Sequence, residues 1–390
     1  DWRTEGIMAE AFRRVPREEI FAATGIQFMP INTLYQLLAM VITGDPALEA
    51  AKTFLMIPDL FNFWLTGQKA CEFTDVTTTQ CYDPRAGEWA WSLLKRMAIP
   101  TRIFPAVIPP ASVLGPLQSH VAEELGLPAV PVIAPACHDT AAAVAAVPAA
   151  APDFAYISSG TWSLVGVEVP RPVLTSAALR HNFTNEGGVN GTFRLLKNVM
   201  GLWLIQECRR RWERDAAASY DELLHLAATA PPFGAVIDPD HERFLRPRDM
   251  PAEIRRACEE SGQTAPEDRG AIVRCILESL ALKYRWVLGR LEEITDRPIT
   301  ALHIVGGGSQ NTLLCQLTAD ATGRVVYAGP GEATAMGNML VQAMALGHLA
   351  SLQEGRAVVR TSTHLTTYEP HPDDRLDGAF ERLRNFVEVA

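Results

Sequence analysis

Hydrophobic positions repeat at a helical period in several parts of the first hundred residues. Apolar runs at 33–40 and 47–64 predict two helices, the second interrupted at Pro58, and the period over 88–97 predicts a third. The short apolar run AVPVIA at 129–134 lies in a proline-rich stretch and is typical of a buried strand. This part of the chain is therefore predicted to be mainly helical, with a strand near its end.

The pattern changes after the Ala- and Pro-rich stretch 149–153, which indicates a boundary between two domains, 1–148 and 149–390. Two strand-like runs at 154–157 and 162–169, joined by Ser-Ser-Gly-Thr, predict a hairpin. Further helices are predicted at 199–213, 219–229, 251–260, 267–294, 311–322 and 332–346, and further strands at 301–305 and 325–327. Strands that alternate with helices favour an α/β fold with some parallel pairing.

Composition and charge narrow the class of protein. Asp and Glu number 45 against 35 for Lys and Arg, and the net charge of −10 argues against a nucleic-acid partner, which binds a basic surface. No apolar run reaches the roughly 18 residues of a membrane-spanning helix, so no membrane partner is expected. The seven cysteines form no C-x-x-C pair, which disfavours a zinc site and is typical of a reducing compartment. We therefore expect a cytoplasmic protein, whose oligomeric state the sequence does not fix.

The first candidate for chemistry follows the predicted strand at 129–134. There Pro135-Ala136-Cys137-His138-Asp139-Thr140 leads into a run of small residues that predicts a helix. Ligands of open α/β sheets bind beyond the carboxyl ends of strands, and a carboxylate at such a position can accept a proton from an attacking hydroxyl. The alternative is that Asp139 or Thr140 caps the helix, and the two roles are compatible.

Two glycine-containing turns are candidates for binding phosphate or a nucleotide. Ser158-Ser159-Gly160-Thr161 joins the strands of the predicted hairpin, where backbone N–H groups can approach phosphate oxygens; an ordinary hairpin turn is the alternative. Gly306-Gly307-Gly308 follows a predicted strand and precedes a helix, so a ligand can lie against backbone that carries no Cβ atoms. This cluster matches neither the dinucleotide-binding pattern nor the P-loop, and a tight strand–helix turn is the alternative.

A polar pair is the fourth candidate. Asn198 precedes the predicted apolar helix at 199–205, and Gln206 lies two helical turns after Asn198. On one helix the two side chains would share a face. The alternative is that Asn198 caps the helix and Gln206 is solvated.

Eight segments, taken together, resemble the FGGY family of carbohydrate kinases and are similar to its L-rhamnulose-phosphorylating branch. They occur in the family's order and span nearly the whole chain: TGIQFMPINTLYQL (24–37), FTDVTTTQ (73–80), HDTAAAV (138–144), YISSGTWSLVGVE (156–168), TNEGG (184–188), LLKNVMGLWLIQE (195–207), HIVGGGSQNTLLCQLTADATG (303–323) and AGPGEATAMGN (328–338). The segments TGIQF–NTLYQL and KN–MGLWL are the ones most typical of that branch.

The resemblance implies an α/β fold of the actin/Hsp70-like type, with two lobes that are each built on an RNase H-like sheet. It implies that the lobe at 1–148 binds the sugar and the lobe at 149–390 binds ATP with Mg²⁺. The expected reaction is ATP-dependent phosphorylation of L-rhamnulose at its 1-hydroxyl. Matched residue by residue, Asp139 is the catalytic base, the sugar contacts are His138, Asp139, Thr140 and Asn198, and the nucleotide contacts are Thr161, Gln206 and Gly307.

One segment of the family has no counterpart in this sequence, in which the similarity begins at Asp1. The family's kinases open with a strand–turn–strand that carries Asp-x-Gly and a small hydroxyl residue, holds Mg²⁺ and wraps the phosphates. Because phosphoryl transfer depends on positioning and on charge neutralisation by the metal, the first lobe is expected to be incomplete and the chain a poor kinase. Two alternatives stay open: an FGGY kinase for another ketose or polyol, and a catalytically impaired chain that binds sugar or nucleotide.

Overall fold

The computed structural model describes residues 2–213 and 218–388, so Asp1, at which the resemblance begins, lies outside the described residues. The chain divides into two compact units. The first unit is composed of Asp1–Ala146, Val167–Lys197 and Ala333–Val359, and the second of Val147–Gly166, Asn198–Glu332 and Arg360–Ala390. These six segments alternate along the chain, which therefore passes between the units five times, whereas the sequence pattern suggested a single boundary after residue 148.

Helices and strands occur throughout the described residues. The α-helices are α1 (Ile7–Arg14), α2 (Arg17–Thr24), α3 (Thr33–Thr43), α4 (Pro46–Ala50), α5 (Ile57–Thr66), α6 (Phe73–Val76), α7 (Trp91–Arg96), α8 (Ser119–Leu125), α9 (Asp139–Ala145), α10 (Ser176–Arg180), α11 (Trp203–Trp212), α12 (Tyr220–Thr229), α13 (Met250–Glu260), α14 (Arg269–Thr295), α15 (Thr312–Thr322), α16 (Ala333–Ala345), α17 (Leu352–Ser362) and α18 (Arg375–Val387). The strands are β1 (Cys71–Glu72), β2 (Tyr82–Asp83), β3 (Glu88–Trp89), β4 (Val107–Ile108), β5 (Ser112–Pro116), β6 (Pro131–Ala134), β7 (Phe154–Ser159), β8 (Trp162–Val169), β9 (Thr184–Gly187), β10 (Phe193–Met200), β11 (Ala301–Val305), β12 (Val326–Ala328) and β13 (Thr366–Tyr368).

The second unit is built on a mixed sheet. β7 and β8 form an antiparallel hairpin in which Ser159 lies opposite Ser163. β11 pairs in parallel with both β7 and β12, and β13 pairs antiparallel with β12. Val305, the last residue of β11, lies opposite Ser158 near the end of β7. The carboxyl ends of these two parallel strands therefore meet at one edge of the sheet.

Helix α14 forms much of the core of the second unit. It is 27 residues long, and Ile276, Leu280 and Tyr284 along it are fully buried. Its N-terminus is capped by Asp268, whose carboxylate accepts the N–H of Ala271 at 2.8 Å. Within residues 2–213 and 218–388, no helix combines the length and apolar character needed to cross a bilayer.

The first unit contains two-stranded sheets and closely packed helices. β5 pairs antiparallel with β6 in one of these sheets, whereas β9 and β10, which pair antiparallel with each other, belong to the seven-stranded sheet of order β13-β12-β11-β7-β8-β10-β9. α9 follows β6 after a four-residue loop and packs against α16. A Cβ atom added to Gly337 of α16 would lie only 1.7 Å from the carbonyl oxygen of Ala142 in α9, so the backbones of the two helices touch. This contact fixes the helix that begins at Asp139.

Most of the predicted elements are confirmed. They include helices that match 33–40, 219–229, 251–260, 267–294, 311–322 and 332–346, the hairpin at 154–169, strands within 129–134 and 301–305, and a strand that overlaps the predicted 325–327 and ends one residue later. Two predictions were wrong in the first unit. Pro58 does not interrupt a helix, because residues 51–56 are not helical and Pro58 lies in the first turn of α5. Backbone N–H groups in the first turn have no acceptor within the helix, so the missing N–H of proline costs no helical hydrogen bond there. The predicted helix at 88–97 begins only at Trp91, after strand β3.

The helix predicted at 199–213 begins only at Trp203. Val199 and Met200 are the last residues of the buried strand β10. Between the two elements lies Gly201, where the backbone closely approaches β8: a Cβ there would lie 2.7 Å from the hydroxyl of Ser163. The apolar run is continuous from strand to helix, so hydrophobic pattern alone did not separate the two elements.

Candidate active site

Asp139 is the first residue of α9, and its side chain is 76% exposed. Its Oδ1 accepts hydrogen bonds from the backbone N–H and the hydroxyl of Thr140. The N-cap position itself belongs to His138, whose side chain makes no capping bond. Neither Asp139 nor Thr140 is therefore the N-cap residue that the capping alternative had proposed, and the carboxylate of Asp139, which contacts the first helical turn, remains accessible to a ligand.

The loop that leads into Asp139 is held by two buried side chains from another segment. Glu72 accepts the N–H of Cys137 at 3.0 Å, and the hydroxyl of Thr74 accepts the N–H of His138 at 3.1 Å. Glu72 also accepts the N–H of Thr74 at 2.9 Å. Burial raises the pKa of Glu72 to about 7, and the hydrogen bonds that Glu72 accepts from Thr74 and Cys137 oppose the rise. The position of Asp139 therefore depends on contacts made about 65 residues earlier in the chain.

Asp75 is a second buried carboxyl group in the same unit and is only 8% exposed. Burial raises its pKa to about 7, and the negative charges of Asp59, Asp139 and Glu186 add to the rise. The charge of Arg194 opposes it. The carboxyl group of Asp75 therefore lies within electrostatic range of Asp139, the candidate base.

A buried arginine contacts the histidine that precedes Asp139. Arg194 is fully buried, its Nε donates to the carbonyl oxygen of Gly187 at 2.8 Å, and its Nη2 lies 3.0 Å from Nδ1 of His138. Glu186 is also buried, and its Oε2 lies 3.2 Å from Nη2 of Arg194 and 3.4 Å from Nδ1 of His138. On the other side of the ring, Nε2 of His138 lies 3.5 Å from Oδ1 of Asp139. A charged network thus runs from strands β9 and β10 to the candidate base.

In the second unit, the hairpin turn and the glycine cluster come together. A Cβ atom on Gly308 would lie 2.0 Å from the hydroxyl oxygen of Ser159, and one on Gly306 would lie 2.9 Å from its carbonyl oxygen. Gly306 also has a φ of 81°, in the left-handed region that favours glycine. Gly307 differs from both, because a Cβ there would meet no atom within 4 Å. Close packing against Ser159 therefore explains why Gly306 and Gly308 carry no side chain. At Gly307 no packing contact requires glycine, and the space beside its backbone is open.

Thr161 and Gln206 are also close together in the second unit. The hydroxyl of Thr161 lies 3.4 Å from Oε1 of Gln206. The carbonyl oxygen of Thr161 accepts the N–H groups of Gly201 at 3.0 Å and Trp203 at 3.1 Å, so the hairpin turn is fastened to the start of α11. A polar turn, an amide side chain and glycine-rich backbone at one sheet edge can bind the phosphates and base of a nucleotide.

Asn198 does not occupy the position that the sequence suggested. It lies within strand β10 and is half-buried, so it neither caps a helix nor shares a helix face with Gln206. The remaining site residues fall into two groups. His138, Asp139 and Thr140 lie together in the first unit, and Thr161, Gln206 and Gly307 lie in the second.

Five polar residues around Asp139 received no role from the sequence. They are Glu72, Thr74, Asp75, Glu186 and Arg194. Four of them lie within, or directly next to, the segments FTDVTTTQ and TNEGG, which match the family. Charged residues between apolar ones in matched segments were the available signal, and Arg194 directly precedes a further matched segment, at 195–207.

Comparisons with known proteins give one consistent result. A family model described as the N-terminal domain of the FGGY family of carbohydrate kinases matches residues 1–146, and the corresponding C-terminal domain matches 155–346. A rhamnulokinase of Bacteroides thetaiotaomicron is 45% identical over 387 residues, which are 99% of this chain and 79% of that protein. A rhamnulokinase of Oceanobacillus iheyensis is 42% identical over 370 residues, or 94% of this chain and 77% of that protein.

Solved structures share the fold at low sequence identity. A gluconate kinase from Lactobacillus acidophilus superposes with a TM-score of 0.78 at 17% identity, covering 100% of this chain and 77% of that one. A glycerol kinase from Plasmodium falciparum with ADP has a TM-score of 0.75 at 14% identity, covering 99% and 77%. The predicted α/β fold of the actin/Hsp70-like type is confirmed.

Proposed function

Because the chain belongs to the FGGY family of carbohydrate kinases, we propose that it transfers the γ-phosphoryl group of ATP to the 1-hydroxyl of L-rhamnulose. The observation that carries the choice of sugar is the 45% identity with a rhamnulokinase over 99% of the chain. At the coarser level the protein is a carbohydrate kinase, a phosphotransferase that uses ATP.

The proposed chemistry assigns the proton to Asp139. The 1-hydroxyl oxygen of the sugar attacks the γ-phosphorus, the bond between that phosphorus and the bridging oxygen of ADP breaks, and the hydroxyl proton moves to the carboxylate of Asp139. An exposed carboxylate at the start of a rigid helix suits this role, since it can reach a ligand and keeps its place. His138, Thr140 and Asn198 are proposed to bind the sugar, and Thr161, Gln206 and Gly307 the nucleotide.

Mg²⁺ enters the proposal together with ATP. Across the described ranges 2–213 and 218–388, no group of three or more His, Cys, Asp or Glu side chains is arranged to hold a metal ion. Magnesium in kinases is bound largely by phosphate oxygens and water, with few protein ligands, so we propose that it binds together with the nucleotide. We also place the reaction in the cytoplasm, because the seven cysteines are free thiols, which are typical of a reducing compartment.

A substrate panel tests the proposed function. The 390-residue chain is assayed with Mg·ATP against L-rhamnulose, other ketoses and polyols, and the product is identified by ³¹P NMR. We expect the highest kcat/KM with L-rhamnulose and a sugar 1-phosphate as product. A higher kcat/KM with another sugar would replace the substrate, and calorimetric binding of sugar and ATP without turnover would support a binding role.

The substitution Asp139→Asn tests the assignment of the base. An amide cannot accept the hydroxyl proton, so kcat should fall by about 100-fold or more, while calorimetry should still detect the sugar. Asp221→Asn is the matched control, because Asp221 is also an exposed aspartate in the first turn of a helix. It should leave kcat unchanged. Near-normal turnover in Asp139→Asn would remove Asp139 from this role.

A further inference from the structure

Arg194 is an unusual residue for the interior of the first unit. Its side chain has no exposed surface, and its Nη1 atom makes no hydrogen bond with the part of the chain that the structure describes. Long cationic side chains are almost never fully buried unless they are paired. The pairing present is to Glu186, to the carbonyl oxygen of Gly187 and to the ring of His138.

The contact with His138 specifies where the neutral ring carries its proton. A guanidinium group has five N–H donors and no acceptor, and it stays protonated in proteins. Nη2 of Arg194 lies 3.0 Å from Nδ1 of His138, so Nδ1 must accept and therefore carries no hydrogen. The proton of the neutral ring is then on Nε2, the nitrogen 3.5 Å from Oδ1 of Asp139.

We propose that Arg194 is a positioning residue, which keeps His138 neutral with its proton on Nε2 so that the ring donates a hydrogen bond on the side of Asp139 and the sugar. The part of the proposal that concerns the sugar rests on the proposed function. Nε2 of His138 then donates a hydrogen bond and has no lone pair with which to accept a proton. Asp139 is left as the proton acceptor.

The other charges around the ring act against this state, which makes the role of Arg194 specific. Glu186 lies 3.4 Å from Nδ1, Asp139 lies 3.5 Å from Nε2, and both favour a positively charged ring. Asp75 adds a third carboxyl group that interacts with Asp139, Glu186 and Arg194. Burial and the charge of Arg194 lower the pKa of His138 and outweigh the two carboxylates. Without the guanidinium, Nδ1 would face only Glu186 and would take up a proton to donate to it.

The test reads the protonation state directly. In the full chain labelled with ¹⁵N-histidine, two-bond ¹H–¹⁵N correlation spectra distinguish a protonated from a bare ring nitrogen, and His138→Gln assigns the signal. We expect His138 in the wild-type chain to be neutral at pH 7 with its proton on Nε2. An Nδ1–H ring or an imidazolium at that pH would overturn the proposal, even if no variant folds.

Two variants separate the arginine from the carboxylate. Arg194→Met should move the proton to Nδ1 or give a doubly protonated ring, because only Glu186 remains beside Nδ1. Glu186→Gln should keep the Nε2–H form, because Arg194 still donates. Arg274→Met removes the arginine of another buried ion pair, with Glu278, in the second unit and should leave the His138 signal unchanged. An unchanged His138 signal in Arg194→Met, or a shift of the proton in Glu186→Gln, would overturn the proposal.

Kinetics then connect the protonation state to the sugar. Where the spectra show that Arg194→Met has moved the ring proton to Nδ1, the KM for the sugar should rise by about tenfold or more, because Nε2 has changed from a donor to an acceptor, while the KM for ATP stays unchanged. An equal rise of both KM values would indicate general damage and contradict a positioning role. If the spectra are as expected but L-rhamnulose is not phosphorylated, the proposed function fails and the assignment of the ring proton stands.

Discussion

Asp75 is a carboxyl group that the folded chain holds largely buried, with three other carboxylates acting on it. Its pKa rises from an ordinary 3.8 to about 7, mainly through burial. Between these two values the folded chain binds the proton more strongly than the unfolded chain. The free energy of unfolding therefore falls as the pH rises through this window.

Asp75→Asn removes the group that titrates and keeps its shape. The variant should match the wild type below about pH 4 and be more stable above pH 7, by up to a few kcal/mol. Urea unfolding followed by fluorescence at pH 4, 6 and 8 measures the difference. Asp221→Asn, at an exposed position, should show no such trend. A variant that loses stability at pH 8 would mean that Asp75 is charged and well paired in the folded chain.

At the scale of elements, the contact between α9 and α16 depends on Gly337. Because a Cβ there would lie 1.7 Å from the carbonyl oxygen of Ala142, Gly337→Ala must push the helices apart and should lower the free energy of unfolding by about 2 kcal/mol or more. Gly289 is the matched control: it lies inside α14, is exposed, and has no atom within 4 Å of an added Cβ. Gly289→Ala should be neutral or stabilising, since alanine favours a helix. Thermal denaturation that gave both variants the same melting temperature would contradict this account of the packing.

Substitutions at two adjacent residues of the glycine cluster can distinguish an effect on ligand binding from an effect on packing. Gly308→Ala would place a Cβ 2.0 Å from the hydroxyl of Ser159 and should lower the melting temperature. Gly307→Ala meets no protein atom within 4 Å and should leave the melting temperature unchanged. If the nucleotide lies on this backbone, Gly307→Ala should raise the KM for ATP about tenfold, the effect of an added methyl group that costs one to two kcal/mol of binding. Normal ATP kinetics in Gly307→Ala would place the nucleotide elsewhere.

Helices and strands whose apolar runs end at polar residues or glycine could be predicted from the sequence. Elements that follow one another without such a break could not be separated. β11 and the hairpin of β7 and β8 are short apolar runs next to glycine, and both were placed almost to the residue. The start of α11 was missed because the residues between the end of β10 and the start of α11 include no polar side chain, so the apolar run continues from the strand through Gly201 into the helix. Asp139, Thr161 and Gln206 could be proposed because they match a family. Arg194 could not, since its role arises from a contact with His138, which is 56 residues away in sequence.

At the scale of the whole molecule, the two groups of site residues belong to different units. Each ligand should therefore protect its own segments from amide hydrogen exchange. L-Rhamnulose alone should slow exchange at 137–140, and a non-hydrolysable ATP analogue with Mg²⁺ should slow it at 158–161 and 306–308. Mass spectrometry of peptides covers these segments, and those from α13 serve as an internal control. Protection of 137–140 by the nucleotide alone, with none at the other two segments, would contradict the assignment.

The alternation of segments between the units has a consequence for how the protein is made. When the ribosome has released residues 1–146, α9 still lacks α16, which is synthesised almost two hundred residues later. The first unit also needs residues up to Val359, and the second needs residues from Arg360 onward. Neither unit can therefore complete its fold before the ribosome has passed residue 332, and no cut at a single peptide bond yields either one intact.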